Sequence, residues 1–122
     1  MKAGDVIKAY AAIGPLMEME MTWQESHDVI DLKRKLQAEA EIFSMQEMKL
    51  VNEVADKKDG KIVIDENGRF KVTGPDKVEK YQAERKALTE VEVKWDVPKI
   101  KLHVEKIRPA IYEALEKFIE FN

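Results

Sequence analysis

The chain has 122 residues and a mass of 14.1 kDa, the size of one ordinary domain with a single hydrophobic core. It contains no cysteine, which excludes disulfides, thiolate metal sites and cysteine nucleophiles. Its 21 basic and 24 acidic residues give a net charge of -3, without the basic excess typical of proteins that bind duplex DNA. We therefore expect one domain, 1–122, that does not bind nucleic acid directly.

The N-terminal segment predicts a short helix that begins after Asp5 and ends at Gly14 and Pro15. Between these residues, apolar side chains recur at helical spacing: Val6, Ile7, Tyr10 and Ile13. Three methionines then alternate with glutamates over 17–21, a pattern that fits a brief strand or an extended linker whose methionines fill the core. The segment lacks the apolar core of a signal peptide, and no apolar run in the chain reaches the roughly 20 residues that span a bilayer. We expect no contact with a membrane.

The strongest predicted element is one long helix from Trp23 to about Ala55, which contains no glycine or proline. Thr22 and Glu25 have the spacing of a capping box at its start. Its apolar residues repeat every three or four positions, as in a coiled coil, and Glu47 interrupts them: Val29, Leu32, Leu36, Ala40, Phe43, Leu50 and Val54, with Ile30, Ile42, Met45 and Met48 expected to widen the same face. Such a helix is about 48 Å long, whereas a compact domain of this size is about 35 Å across. We therefore expect an elongated domain or a homo-oligomer.

A β-hairpin is predicted after the long helix, because Asn67-Gly68 separates two short apolar runs. A two-residue loop would pair Ile64 with Lys71. A three-residue loop with Gly68 in a bulge pairs Ile64 with Phe70 instead, and Ile62 with Val72. We favour the second register because it collects four apolar side chains on one face.

The C-terminal third predicts a helix, a strand and a last helix. Gly74 and Pro75 start a helix that ends near Thr89, with Val78, Tyr81, Leu88 and the stem of Arg85 facing inward. Alternating residues then favour a strand over 91–97, broken by Pro98 and resumed over 100–104. Pro109 begins a helix expected to continue to Phe121. The predicted fold class is α+β and mainly helical: one long coiled-coil-like helix, a β-hairpin plus one further strand, and two or three shorter helices.

Residues that could carry catalysis are few. His27 and Asp31 lie one helical turn apart, but no second histidine accompanies them, so a solvated helix face explains them better than a metal site. Gly60-Lys61 lacks the flanking residues of a phosphate-binding loop, and Ser26 and Ser44 are not in a nucleophile context. We expect a protein that is not an enzyme and that needs no cofactor or metal.

The predicted partner-binding surface comprises Trp95, Val97, Ile100 and His103. Pro98 cannot donate to a strand ladder, which places this strand at a sheet edge, and an apolar edge needs a covering helix or a binding partner. The terminal helix from Pro109 could supply that cover, so both alternatives remain open at this point.

Several short motifs resemble a family of small uncharacterised proteins of tailed phages and prophages. They are Asp59-Gly60-Lys61 with Asn67-Gly68 between helices, Glu90-Val91-Glu92-Val93 after a helix that ends at Leu88, and Pro109 with Leu115 and Phe118-Ile119. Arg108 departs from the family, which more often has a serine or threonine cap there. The resemblance implies an accessory or morphogenesis protein, located in the cytoplasm of the bacterial host or in the virion, that binds a phage structural or host protein. It transfers no catalytic residue.

A second hypothesis is a phage-encoded inhibitor of a host defence nuclease, similar in action to an anti-CRISPR protein. Its acidic helices would occupy a basic nucleic-acid channel.

Overall fold

The computed structural model describes all residues, 1–122, and the fold is α+β and mainly helical, as predicted. The elements in chain order are α1 Ala3–Met17, α2 Trp23–Val54, β1 Lys57–Lys58, β2 Lys61–Ile62, α3 Pro75–Thr89, β3 Ile100–Leu102, α4 Pro109–Leu115 and β4 Ile119–Phe121. None of these helices combines the length and the apolar character needed to cross a bilayer.

Helix α2 is continuous over 32 residues, and α1, α3 and β3 pack directly on it, whereas α4 packs on α1. The predicted capping box is present: the Thr22 hydroxyl accepts a hydrogen bond from the Glu25 backbone N at 3.2 Å, and the Glu25 carboxylate accepts from the Thr22 backbone N at 3.0 Å. Glu47, which interrupts the apolar repeat, does not break the helix, because glutamate is a good helix former. The Arg85 guanidinium of α3 donates to its carboxylate at 3.0 Å. An ion pair therefore takes the place of an apolar contact in this turn.

Helices α1 and α3 pack in tandem along α2. A five-residue connection, 18–22, links α1 to α2, and α1 then covers the first part of α2. Helix α3 covers the last part and runs antiparallel to it, because its residues pair with α2 in reverse order, Lys80 with Glu53 and Arg85 with Glu47. The start of α1 meets the end of α3, where the Ala3 backbone N donates to the Val91 carbonyl at 2.8 Å.

The buried residues divide the molecule into two regions. In the proximal region, residues 23–40 of α2 pack with α1, α4, β3 and β4 around one cluster: Val6, Ala9, Ile13, Leu16, Val29, Leu32, Leu36, Leu102, Leu115, Phe118 and Ile119. In the distal region, residues 41–54 of α2 pack with α3 and segment 55–74. Helix α3 contributes no buried side chain to this region. The buried side chains come from α2 and its C-cap: Phe43, Leu50, Val51, Val54 and Ala55.

The first helix is longer than predicted at both ends, since it starts at Ala3 and continues through Pro15 to Met17. A proline near the end of a helix disrupts few hydrogen bonds, and the fully buried Leu16 fixes the last turn against the core. Met19 and Met21 follow in the connection and pack on the proximal cluster, whereas Met17 is exposed.

Segment 55–74 contains the predicted pairing of Ile64 with Phe70, and Gly68 has a positive φ of 77° as predicted. The predicted pairing of Ile62 with Val72 is wrong. Ile62 pairs with Lys57 across a tight turn at Asp59-Gly60, whose φ values are 53° and 78°. The chain thus folds back twice within segment 55–74, and Ile64 is 62% exposed, so the four apolar residues do not form one buried face.

The strand predicted over 91–97 is also wrong, because only Glu92 forms a bridge, with Lys2. Strand β3 is real but pairs in parallel with β4, in the register Ile100 with Ile119 and Leu102 with Phe121. The last helix therefore ends at Leu115 instead of Phe121. Apolar spacing from Leu115 to Ile119 fits a helix equally well, and the strand forms because α4 returns the chain beside β3.

Candidate protein-interaction surface

The long helix has apolar residues on two opposite sides. One side carries the residues buried under α1 and α3, such as Leu36 and Leu50. The other side carries Ile42, Met45 and Met48, which are 55%, 63% and 52% exposed. We call these three residues the outer stripe. A rotation of 100° per residue places Met45 almost opposite the centre of the buried face.

This placement corrects the expectation that Ile30, Ile42, Met45 and Met48 widen the buried face. All four are exposed. Apolar residues surround much of α2, so the sequence does not show which side its neighbours occupy. Helices α1 and α3 cover only the side that contains Leu36 and Leu50.

Side chains of opposite charge lie on the same face as the outer stripe. At 100° per residue, the exposed Glu41 and Lys49 lie about 40° to either side of Met45, closer to it than Ile42 and Met48 at about 60°. Gln37 donates to the Glu41 carboxylate at 3.2 Å, whereas Lys49 has no salt bridge within 4.0 Å. The face around Met45 therefore carries charged as well as apolar side chains, a mixture found in many protein interfaces.

The total accessible surface of the chain is larger than that expected for a compact monomer. The chain exposes 8782 Å². A compact monomer of the same mass exposes about 6,700 Å² by the usual scaling of surface with mass. The excess of about 2,000 Å² is consistent with an elongated shape in which α2 is covered on one side.

The four residues predicted to bind a partner lie near β3. Trp95 is half-buried and packs edge-on against Phe118, with ring centroids 5.3 Å apart. Ile100 is half-buried against the proximal cluster, and Val97 is half-buried in the segment between them. Only the His103 side chain is exposed. The structure thus places the two largest apolar side chains of this set against the core.

The backbone at His103 is tied to the start of α2. Its N–H donates to the second oxygen of the Glu25 carboxylate at 2.9 Å. Glu25 therefore serves both the capping box and the end of β3, and these hydrogen bonds, chiefly that from His103, lower the pKa of its carboxyl below the usual value. This contact holds β3 in place over the proximal cluster.

A shallow groove of about 720 Å³ lies between α1 and α4. Alanines line its floor, and Lys117 donates to the Asp5 carboxylate at 3.0 Å across one side. This hydrogen bond lowers the pKa of Asp5. Asp5 and Lys117 therefore pair with each other, and the groove also carries the charged side chains of Lys8, Glu113 and Glu116 beside its alanines.

The histidine and aspartate on α2 are close, with His27 Nδ1 3.4 Å from Asp31 Oδ2, and the His27 ring stacks on Trp23 at a centroid distance of 5.4 Å. No third acidic, histidine or cysteine side chain joins them in a group that could hold a metal ion. Comparisons of the chain with protein-family models, with curated proteins and with solved structures find no match. The outer stripe is therefore the feature that best indicates a function, and sequence periodicity missed it because it counted Met45 with the core.

Proposed function

We propose that the protein acts by binding another protein through the outer stripe of α2, as an accessory or morphogenesis component of a phage or prophage. The supporting observation is the exposure of Ile42, Met45 and Met48 together on the uncovered side of a rigid helix. Scattered apolar residues are normal on a surface, but neighbouring ones on one face are typical of interaction sites. Methionine suits such a surface because its flexible side chain adapts to a partner.

The phage setting is supported by the resemblance of the turn and cap motifs, among them Asp59-Gly60-Lys61 and Asn67-Gly68, to small tailed-phage proteins. It places the protein in the cytoplasm of a bacterial host or in the virion. The partner is a phage structural protein or a host protein, and no cofactor, metal or catalytic step is part of the proposal.

The alternative, inhibition of a host defence nuclease, requires an acidic face that fits a basic channel. Charges along α2 change sign instead: Asp28 and Asp31 are followed by the basic residues of 33–35, and then by Glu39 and Glu41. Helix α3 likewise mixes both signs. The mixed surface favours ordinary protein contact over mimicry of nucleic acid.

The test is affinity capture from bacteria that carry the phage or prophage, with wild type, Met45→Glu and Ile64→Glu as baits. Ile64 is the matched control, since it is 62% exposed and Met45 is 63% exposed, but it lies outside the stripe. We expect Met45→Glu to lose at least one phage or host protein that the other two baits retain. Capture of the same proteins by all three baits would contradict the proposal, and recovery of a host nuclease would favour the alternative.

A further inference from the structure

The six methionines of the chain fall into two groups by exposure. Met45 and Met48 of the outer stripe are 63% and 52% exposed, and Met17 at the end of α1 is 37% exposed. The other three are half-buried and pack against the proximal cluster: Met1, Met19 and Met21. The methionine sulfur that solvent can reach is therefore concentrated in the outer stripe.

Met45 and Met48 are neighbours on α2. Three positions along a helix correspond to a rotation of about 60° and a rise of about 4.5 Å, so the two side chains share one patch of surface. Neither belongs to the buried residues of α2, which lie on the side that α1 and α3 cover. A chemical change of both side chains therefore alters this face and leaves the packing of the fold intact.

We propose that Met45 and Met48 form an oxidation site, at which peroxides convert both thioethers to sulfoxides and thereby end the binding of a partner by the outer stripe. The inference rests on the proposed function, because it describes the regulation of the same stripe. A sulfoxide is polar, whereas the thioether is apolar and flexible. Oxidation thus removes the property for which methionine suits an interaction surface.

The reaction transfers one oxygen atom to each sulfur. The Sδ lone pair attacks one oxygen of hydrogen peroxide, the O–O bond breaks and an S–O bond forms. The proton on the attached oxygen passes to the departing hydroxide, which leaves as water, so each sulfur loses two electrons and the peroxide gains them. Methionine sulfoxide reductases, with a dithiol as reductant, remove the oxygen as water, so the change is reversible.

The first test follows oxidation of the folded chain by hydrogen peroxide, with peptide mass spectrometry at a series of times. We expect Met45 and Met48 to gain one oxygen each several-fold faster than Met19 and Met21, because susceptibility follows exposure. The same reaction in concentrated urea is the control, since all six methionines should react at similar rates in the unfolded chain. Equal rates for these four methionines in the folded chain would overturn the inference.

The second test uses the peroxide-treated wild type as a bait in the affinity capture described above. It should lose the proteins that untreated Met45→Glu loses, and treatment with methionine sulfoxide reductases should restore them. The control bait combines Met45→Leu with Met48→Leu, which keeps the stripe apolar and of similar volume without sulfur. Treated in the same way, this leucine control should retain the captured proteins. Circular dichroism of each bait confirms that the helices are retained.

An oxidised wild type that captures the same proteins as the untreated chain would overturn the inference. So would an oxidised leucine control that loses them, because the loss would then arise outside the stripe. Failure here remains distinguishable from failure of the proposed function. If untreated Met45→Glu loses a captured protein that the oxidised wild type retains, the proposed function stands and oxidation does not regulate it. Capture of the same proteins by every untreated bait would overturn both.

Discussion

The proximal and distal regions contain nearly the same aromatic contact at different depths. Trp95 meets Phe118 edge-on at 5.3 Å in the proximal region, and Phe70 meets Tyr81 edge-on at 5.2 Å in the distal region. Phe118 is almost fully buried, whereas neither ring of the distal pair is. The same contact geometry thus occurs in the buried core of the proximal region and in the partly exposed distal region. Burial rather than geometry sets the stabilisation that each pair provides.

Ion pairs accompany the half-buried apolar contacts between α3 and α2 in the distal region. Helix α3 has no buried residue, and its Arg85 and Lys80 pair with Glu47 and Glu53 of α2. Partly exposed ion pairs contribute little free energy. The distal region therefore depends on α2, which the proximal core already stabilises, for its order.

The largest expected effect tests this difference with one substitution in each region. Phe118→Ala should lower the free energy of unfolding by about 3–5 kcal/mol, because it empties a buried site. Phe70→Ala removes the same atoms from a half-exposed site and should cost about 1–2 kcal/mol. Urea denaturation of both variants measures the two losses in free energy of unfolding. Equal losses would show that the two regions are packed to the same depth.

Gly4→Ala tests the junction between the regions. A Cβ at this position would lie 3.1 Å from the Cβ and the carbonyl oxygen of Thr89, at the end of α3. We expect a loss of about 1–3 kcal/mol in urea denaturation, because α1 and α3 must separate slightly.

Gly14→Ala is the control for this substitution, since a Cβ there meets nothing within 4 Å. It should stabilise α1 by about 0.5–1 kcal/mol, because alanine favours the helix. A gain of stability in Gly4→Ala would show that the junction is loose.

Gly68→Ala tests the double turn of the distal region. Its φ of 77° is costly for alanine, so the variant should lose about 1 kcal/mol. Thermal denaturation followed by circular dichroism measures the loss. An unchanged melting temperature would mean that this loop unfolds before the remainder of the chain.

A double-mutant cycle on Glu47 and Arg85 measures the ion pair that replaces an apolar contact in α2. Their side chains are 31% and 45% exposed, so we expect a coupling energy below about 1 kcal/mol that falls further in about 1 M salt. A coupling of several kcal/mol would show that charge, more than burial, fixes α3 on α2.

The smallest expected change in stability at neutral pH is that of replacing Glu25 in the proximal region. Hydrogen bonds from the backbone N–H groups of His103 and Thr22 lower the pKa of its carboxyl in the folded state. The stabilisation is therefore present above the usual pKa of a glutamate and is lost as the pH falls through the lowered value. Melting temperatures of Glu25→Gln should be lower than wild type at pH 7 and should decline less between about pH 5 and pH 3.

Glu66→Gln provides the control, because Glu66 is exposed in the hairpin loop, and its melting curve should follow wild type at every pH. If the melting temperatures of wild type and Glu25→Gln change in parallel with pH, Glu25 does not contribute to the loss of stability in acid.

Local signals in the sequence predict part of this fold. The capping box at Thr22 and the absence of glycine and proline place α2 within a residue or two, and Gly74-Pro75 places the start of α3. The turn at Gly68 follows from Asn-Gly chemistry. Each of these signals acts between residues close together in the chain.

The elements that the sequence predicted wrongly depend on contacts with residues that are distant in the chain. Strand β4 exists because β3 lies beside it, and in the segment 91–97, which forms no strand, Trp95 contacts Phe118 and the proximal cluster. The outer stripe was missed for the same reason. Which side of α2 is covered depends on where α1 and α3 pack, and apolar periodicity around Met45 does not specify this.

Because both regions pack on α2, the number of residues in this helix cannot change without disturbing one of them. One residue inserted near Ala40 would rotate everything beyond it by 100° and shift it by 1.5 Å. Glu47 and Leu50 would then turn away from α3, while Gly4 and Thr89 still hold the start of α1 against the end of α3. Segment 55–74 can absorb insertions at its turns, but α2 cannot. In related sequences, length changes should therefore accumulate in the loops, and α2 should change in residue type alone.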